Sequence, residues 1–158
     1  MPKIRSFARY WLPVLIWMIV IFSASADTDS SGRTSRIIGP IVRWLFPDIS
    51  DPAFDLVVLI TRKWAHLVEY AILALLLWRA FRRPVKADPR PWNWPLAGRV
   101  ILLAALYAAT DECHQIFVRS RYGAVLDVLI DTVGAAAGIL LLWAVGRRRQ
   151  RRSREVTP

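Results

Sequence analysis

Apolar and charged positions are not mixed along this chain; they alternate in blocks, and block length decides what each can be. A helix needs ~20 mostly apolar residues to cross a ~30 Å hydrocarbon layer. Four blocks approach that length: residues 10–26, 63–81, 100–118 and 123–146. The pattern predicts an all-α protein, an integral membrane four-helix transmembrane bundle forming a single domain over residues 1–158. The first block holds no charge, and Tyr10, Trp11 and Trp17 suit an aromatic-anchored crossing. A competing reading makes it a cleaved signal peptide, because Lys3, Arg5 and Arg9 precede an apolar run ending in Ala24-Ser25-Ala26. Either reading puts Asp27 on the outer side.

Between the blocks, Pro40, Pro47 and Pro52 are expected to break the segment from Asp27 to Arg62 into short pieces. The stretch IIGPIVRWLF (Ile37 to Phe46) is apolar but too short to cross, which suits an interfacial position. The middle connector, with Pro84, Pro89, Pro91 and Pro95 beside Trp92 and Trp94, is expected to be extended.

Composition narrows the class. At 55% hydrophobic, the chain is too apolar for a disordered basic tail despite its formal charge of +10. Cys113 is the single cysteine, so neither a disulfide scaffold nor a CxxC zinc knuckle is available. A basic nucleic-acid module would need a folded soluble face, and none is visible, so no nucleic-acid partner is expected. Fifteen of the 22 basic residues fall in the N-terminus, the middle connector with its flanks, and the tail. By the positive-inside rule both termini are then cytoplasmic. The tail over residues 147–158, with its string RRRQRRSR, reads as a basic cytoplasmic anchor on anionic lipid, at about 1 kcal/mol per basic residue.

Five acids lie inside apolar blocks: Glu69, Asp111, Glu112, Asp127 and Asp131. A central Asp costs roughly 2.5 to 3.5 kcal/mol to insert, so partners or a function are expected. At ~1.5 Å per residue, His66, Glu69, Asp111, Glu112, Gln115, Asp127 and Asp131 all fall within a shallow layer near the outer ends of their helices. Ser23 and Ser25 of the first block occupy the matching turn. Helical spacing places His66 with Glu69 and Tyr70, Asp111 with Gln115, and Asp127 with Asp131 on single faces. Gly134 and Gly138 continue the last face as a GxxxG, which permits close helix approach. Arg62, Lys63, Arg119 and Arg121 rim the layer, so a purely structural ion-pair lattice is one account of it.

The strings KWAHLVEY (Lys63 to Tyr70) and DECHQIFVRSRYGAVLDVLIDTVGAAAG (Asp111 to Gly138) resemble the VanZ-like family of bacterial membrane proteins. The matching positions are Lys63, His66, Glu69, Tyr70, Asp111, Glu112, Gln115, Arg121, Asp127, Gly134 and Gly138. FSAS (Phe22 to Ser25) is similar to the serine-bearing end of that family's first helix, which argues against signal cleavage. Asp131 departs from the family's usual Asn, and Arg119-Ser120 from its usual Pro-Gly. The resemblance implies a place in the cell envelope, at the bacterial inner membrane, and an association with low-level teicoplanin resistance.

Several chemistries fit the layer. One is binding of a lipid-linked headgroup or a glycopeptide side chain, with Lys63 and Arg121 on an anion and Tyr70 and Gln115 orienting it. Another is an intramembrane enzyme acting on a phosphate or ester of an envelope lipid, with Glu69 or Glu112 as base and His66 as acid or nucleophile. A metal site on His66, Glu69, Asp111, Glu112 and Asp127 has a looser ligand pattern, and no cofactor is called for. Proton-coupled transport would need the acids to extend through the membrane, and they do not. Membrane lipids are the expected partners.

Overall fold

A computed structural model describes residues 2–25, 30–83, 90–119 and 125–155, with side chains over 7–25, 36–83, 90–114 and 125–151. The described residues form five helices and no strand: α1 (Pro2–Ser25), α2 (Ser30–Leu45), α3 (Asp51–Arg82), α4 (Trp94–Arg119) and α5 (Val125–Glu155). Three are long and apolar enough to cross a membrane, over Phe7–Ser25, Asp51–Arg82 and Val125–Arg151. The third expected crossing, in α4, is not among them. Arg99 near its start and the Asp111-Glu112 pair toward its end leave too short an apolar run between them.

Two prolines expected to break the chain do not. Pro52 sits in the first turn of α3, where a helix has no use for its missing N–H. The helix therefore starts well before the expected crossing and runs for 32 residues, or ~48 Å. Pro40 lies inside α2, which packs on the N-terminal part of α3. There Gly39 faces the Phe54 ring, 3.2 Å from where a Cβ would stand. Arg43 lies over the same ring at 4.7 Å and 3.7 Å from Asp51. The basic tail is helical as far as Glu155, a continuation of α5.

The close contacts fix helix directions. Between α3 and α5 the partners rise together: Lys63 with Asp127, His66 with Asp131, Leu67 with Gly134 and Ala71 with Gly138. These two helices are therefore parallel, and among the described residues they share the most extensive contact. Helices α1 and α4 are also parallel, joined by Tyr107 to Met18 and Ser25 to Asp111. The partners Trp17 with Glu69 and Trp11 with Phe81 make α1 antiparallel to α3. Trp94 against Trp143 makes α4 antiparallel to α5. The pairs Lys63–Asp127, His66–Asp131 and Ser25–Asp111 gather at one end, and Arg9, Arg79, Arg82 and Arg147 lie among aromatic rings at the other.

At the arginine-rich end, aromatic and cationic side chains interleave. Trp78 stacks on Trp92 at 4.3 Å, Arg82 lies 5.7 Å from the Trp78 ring, and Arg147 lies 4.9 Å from the Trp143 ring. Arg82 also donates to the Pro91 carbonyl at 2.9 Å, while Arg90 donates back to the Arg82 carbonyl at 2.7 Å. Arg90 and Pro91 are thus clasped to the end of α3, while residues 84–89 of the connector, expected to be extended, lie outside the described residues. Asn93 then caps α4, its side-chain oxygen accepting from the Leu96 N–H at 2.9 Å. Pro13 inside α1 leaves the Arg9 carbonyl without its helical donor, and Arg79 reaches that oxygen at 3.5 Å.

The core is a slim column of Val14, Ile21, Tyr70, Leu73, Ala74, Ala104, Ala108, Ala135 and Ile139. Alanines recur in it, and glycines mark where α3 and α5 nearly touch. At Gly134 a Cβ would overlap the Leu67 carbonyl oxygen, and at Gly138 it would stand 2.9 Å from that of Ala71. Gly134→Ala should therefore force α3 and α5 apart and cost about 1 to 3 kcal/mol. Gly98→Ala, where nothing lies within 4 Å, should be neutral or gain up to ~1 kcal/mol. Thermal unfolding of the two variants in detergent distinguishes these outcomes.

Candidate functional site

Three helix faces and the end of a fourth build the polar layer. From α3 come Lys63, His66, Glu69 and Tyr70, separated by the three- and four-residue steps that keep side chains on adjoining faces. From α5 come Asp127 and Asp131, one turn apart. From α4 come Asp111 and Glu112, and from α1 Ser25. The structure brings all nine together. Side chains of Gln115 and Arg119 and the whole of Arg121, also expected here, lie outside the described residues.

The pairing runs helix to helix. Lys63 Nζ donates to Asp127 Oδ1, both side chains half-buried. One turn deeper, His66 Nδ1 stands 3.6 Å from Asp131 Oδ1, facing it but too far for a hydrogen bond. Ser25 Oγ, at the last turn of α1, donates to Asp111 Oδ2 at 2.5 Å. Asp111, Glu112 and Asp131 are each less than a tenth exposed, and Tyr70 is wholly enclosed. Tyr70 stands close enough to Asp131, Asp111 and Glu69 to interact electrostatically with each. Asp131 similarly feels Asp127, Glu112, Asp111 and Glu69. Burying so many acids together is costly unless each finds a donor or counter-charge.

Two polar pegs absent from the sequence reading hold the layer in place. Trp17 Nε1 donates to the Glu69 carbonyl at 2.9 Å, and Tyr107 Oη donates to the Met18 carbonyl at 2.6 Å. Each brings a polar tip into an apolar span, the one signal the sequence offered. Ser23, expected beside Ser25, is exposed instead. His114 packs its ring on Phe22 at 4.6 Å, and Cys113 is exposed. Among the described residues no three His, Cys, Asp or Glu side chains converge as metal ligands.

Beside the layer an apolar groove of about 360 Å³ runs along α3 and α5, lined by Leu59, Ile60, Trp64, Leu67 and Ile130. Lys63 lines it too, so one residue belongs both to the groove and to the charged layer.

A family model described as VanZ/LLP1 matches residues 10–146, which takes in every element of the layer. No curated protein and no solved structure matches the chain significantly.

The Lys63–Asp127 pair gives a direct test of what binds the layer. Lys63→Met leaves a half-buried carboxylate without its donor and should cost about 1 to 3 kcal/mol. Asp127→Asn on that background should recover part of the loss, since no charge is then left over. Melting temperatures of the single and double variants in one detergent measure both effects.

Proposed function

That this chain belongs to the VanZ/LLP1 family is the premise from which we propose a multi-pass protein of the bacterial inner membrane, a four-helix bundle with both termini in the cytoplasm. In this reading its outer-leaflet polar layer binds a lipid-linked headgroup or a glycopeptide antibiotic, and so contributes to glycopeptide resistance. Support for a fourth crossing comes from burial. Asp111 and Glu112 of α4 are enclosed by neighbouring helices, so the acids that lower its apolarity need not face lipid. Support for the orientation comes from Arg9, Arg79, Arg82 and Arg147, which cluster at one end among aromatic rings, as at a cytoplasmic membrane surface.

The observation that carries the binding reading is the junction at Lys63. There a layer rich in charge opens beside an apolar groove. An amphiphile meets both surfaces at once, its polar end in the layer and its chain against the groove, and a membrane-embedded site is reached by lateral diffusion. Lys63→Ala should reduce co-purifying lipid about tenfold, the equivalent of one ordinary charged contact. Mass spectrometry of lipid extracted from wild-type and variant protein, with glycopeptide susceptibility of cells producing each, checks this. Unchanged lipid content together with unchanged susceptibility defeats the reading.

One observation favours a second reading, an intramembrane enzyme acting on a phosphate or ester of an envelope lipid. His66 and Asp131 face each other at 3.6 Å, the arrangement of a base and the carboxylate that orients it. Turnover of a lipid phosphate or ester by the purified protein, lost in His66→Ala, would establish it. No turnover with either substrate class would dismiss it.

A further inference from the structure

We propose that the arginine-rich end of the bundle carries a site for the phosphodiester of an anionic membrane lipid, formed by Arg9 of α1 and Arg79 of α3 around the ring of Tyr10. The site lies at the end opposite the polar layer and does not rest on the ligand reading above. Its geometry starts at Pro13, which leaves the Arg9 carbonyl without a helical donor. Arg79 crosses from α3 to donate to that oxygen at 3.5 Å. The reach brings two guanidinium groups from different helices to one phenol ring, Arg79 at 5.1 Å and Arg9 at 5.9 Å from its centre.

The ring attracts each cation, but two like charges held on one ring still repel each other. Among the described residues neither guanidinium meets a carboxylate: that of Arg9 has the ring, and that of Arg79 the ring and one carbonyl. Nor does the sequence around this end hold enough acids to balance it. Residues 1–9, 79–99 and 147–158 contain fifteen Lys and Arg against two acids, Asp88 and Glu155. A guanidinium carries five N–H donors and no acceptor, so the pair calls for an acceptor that bears negative charge. Its planar fork matches the two non-ester oxygens of a phosphodiester.

Depth along the helices argues for a lipid as the source of that anion. Arg9 lies two residues inside the apolar span Phe7–Ser25, and Arg79 three residues inside the end of Asp51–Arg82, or ~3 to 5 Å along each helix. Both cations therefore stand at the edge of the hydrocarbon layer, where lipid headgroups begin. Beside them Phe7 stacks on Trp11, and Trp11 meets Phe81 edge-on at 5.1 Å. Phe7 and Phe81 are exposed, and aromatic rings at this level suit the glycerol region and the upper part of the acyl chains.

Native mass spectrometry of the full chain in detergent tests this with dioleoyl phosphatidylglycerol and dioleoyl phosphatidylcholine. Both carry a phosphodiester and the same chains, and only the first has a net negative charge. Phosphatidylglycerol should bind about tenfold more tightly. The preference should persist in Lys63→Ala, which removes any contribution from the opposite end. Arg9→Gln with Arg79→Gln should erase most of it, and Arg9→Gln alone, at an exposed position that the core does not depend on, should reduce it to about threefold. Tyr10→Leu keeps every charge but removes the shared ring, and should weaken the preference as well. Arg148→Gln with Arg151→Gln takes the same charge from the tail and should leave it nearly intact. A tail variant that loses as much as the Arg9 and Arg79 double variant shows diffuse attraction and overturns the site. Equal binding of the two lipids by the unaltered protein also overturns it. So does displacement of bound phosphatidylglycerol by inorganic phosphate, which would make the ligand a free anion.

Discussion

The close approach of α3 and α5 is the constraint from which the rest of the arrangement follows. Gly134 and Gly138 present no side chain to Leu67 and Ala71, so the two backbones come nearly into contact. Inside a bilayer apolar surface gains little by leaving lipid, and packing of small residues becomes the main attraction between helices. The same face of α5 carries Asp127 and Asp131. Seating the glycines on α3 therefore sets Asp127 beside Lys63 and Asp131 opposite His66. A slip by one helical turn, about 5.4 Å, would separate both pairs. Small residues supply the contact distance, and the charged pairs select the register.

The other helices are attached by a different means. Helix α1 meets its neighbours through donors aimed at carbonyl or carboxylate oxygens: Trp17 on Glu69, Tyr107 on Met18 and Ser25 on Asp111. At the opposite end cations lie over aromatic rings, and the Arg82–Arg90 clasp holds the residues before α4 against the end of α3. The molecule is thus chemically graded along its axis, from acids through a column of small apolar residues to arginine and tryptophan.

Much of this was legible in the residues themselves. Apolar blocks gave the long helices, and the three- and four-residue spacing of Lys63, His66, Tyr70, Asp127 and Asp131 placed them on facing surfaces. The GxxxG continued the acidic face because 127, 131, 134 and 138 follow a helical period. Other features were hidden for physical reasons. A proline reads as a break unless it is known to occupy a first turn, so the early start of α3 at Asp51 was not visible. Nor was α2, whose helix continues past Pro40 while packed on α3. Which acid meets which base depends on helix direction and register, and those emerge only when Leu67 and Gly134 are seen in contact. Trp17 looks like an interfacial anchor in the sequence, yet its ring nitrogen finds a carbonyl across the helix boundary.

The parallel run of α3 and α5 also bears on how the protein is made. Two neighbouring helices with the same direction cannot be joined by a short turn, and here α4 intervenes, with Lys63 and Asp127 separated by 64 positions. During synthesis, α3 must wait for an entire further hairpin before its lysine and histidine meet their carboxylates. Pairing of α3 with α5, and with it the register of the polar layer, is therefore a late event in the assembly of these helices.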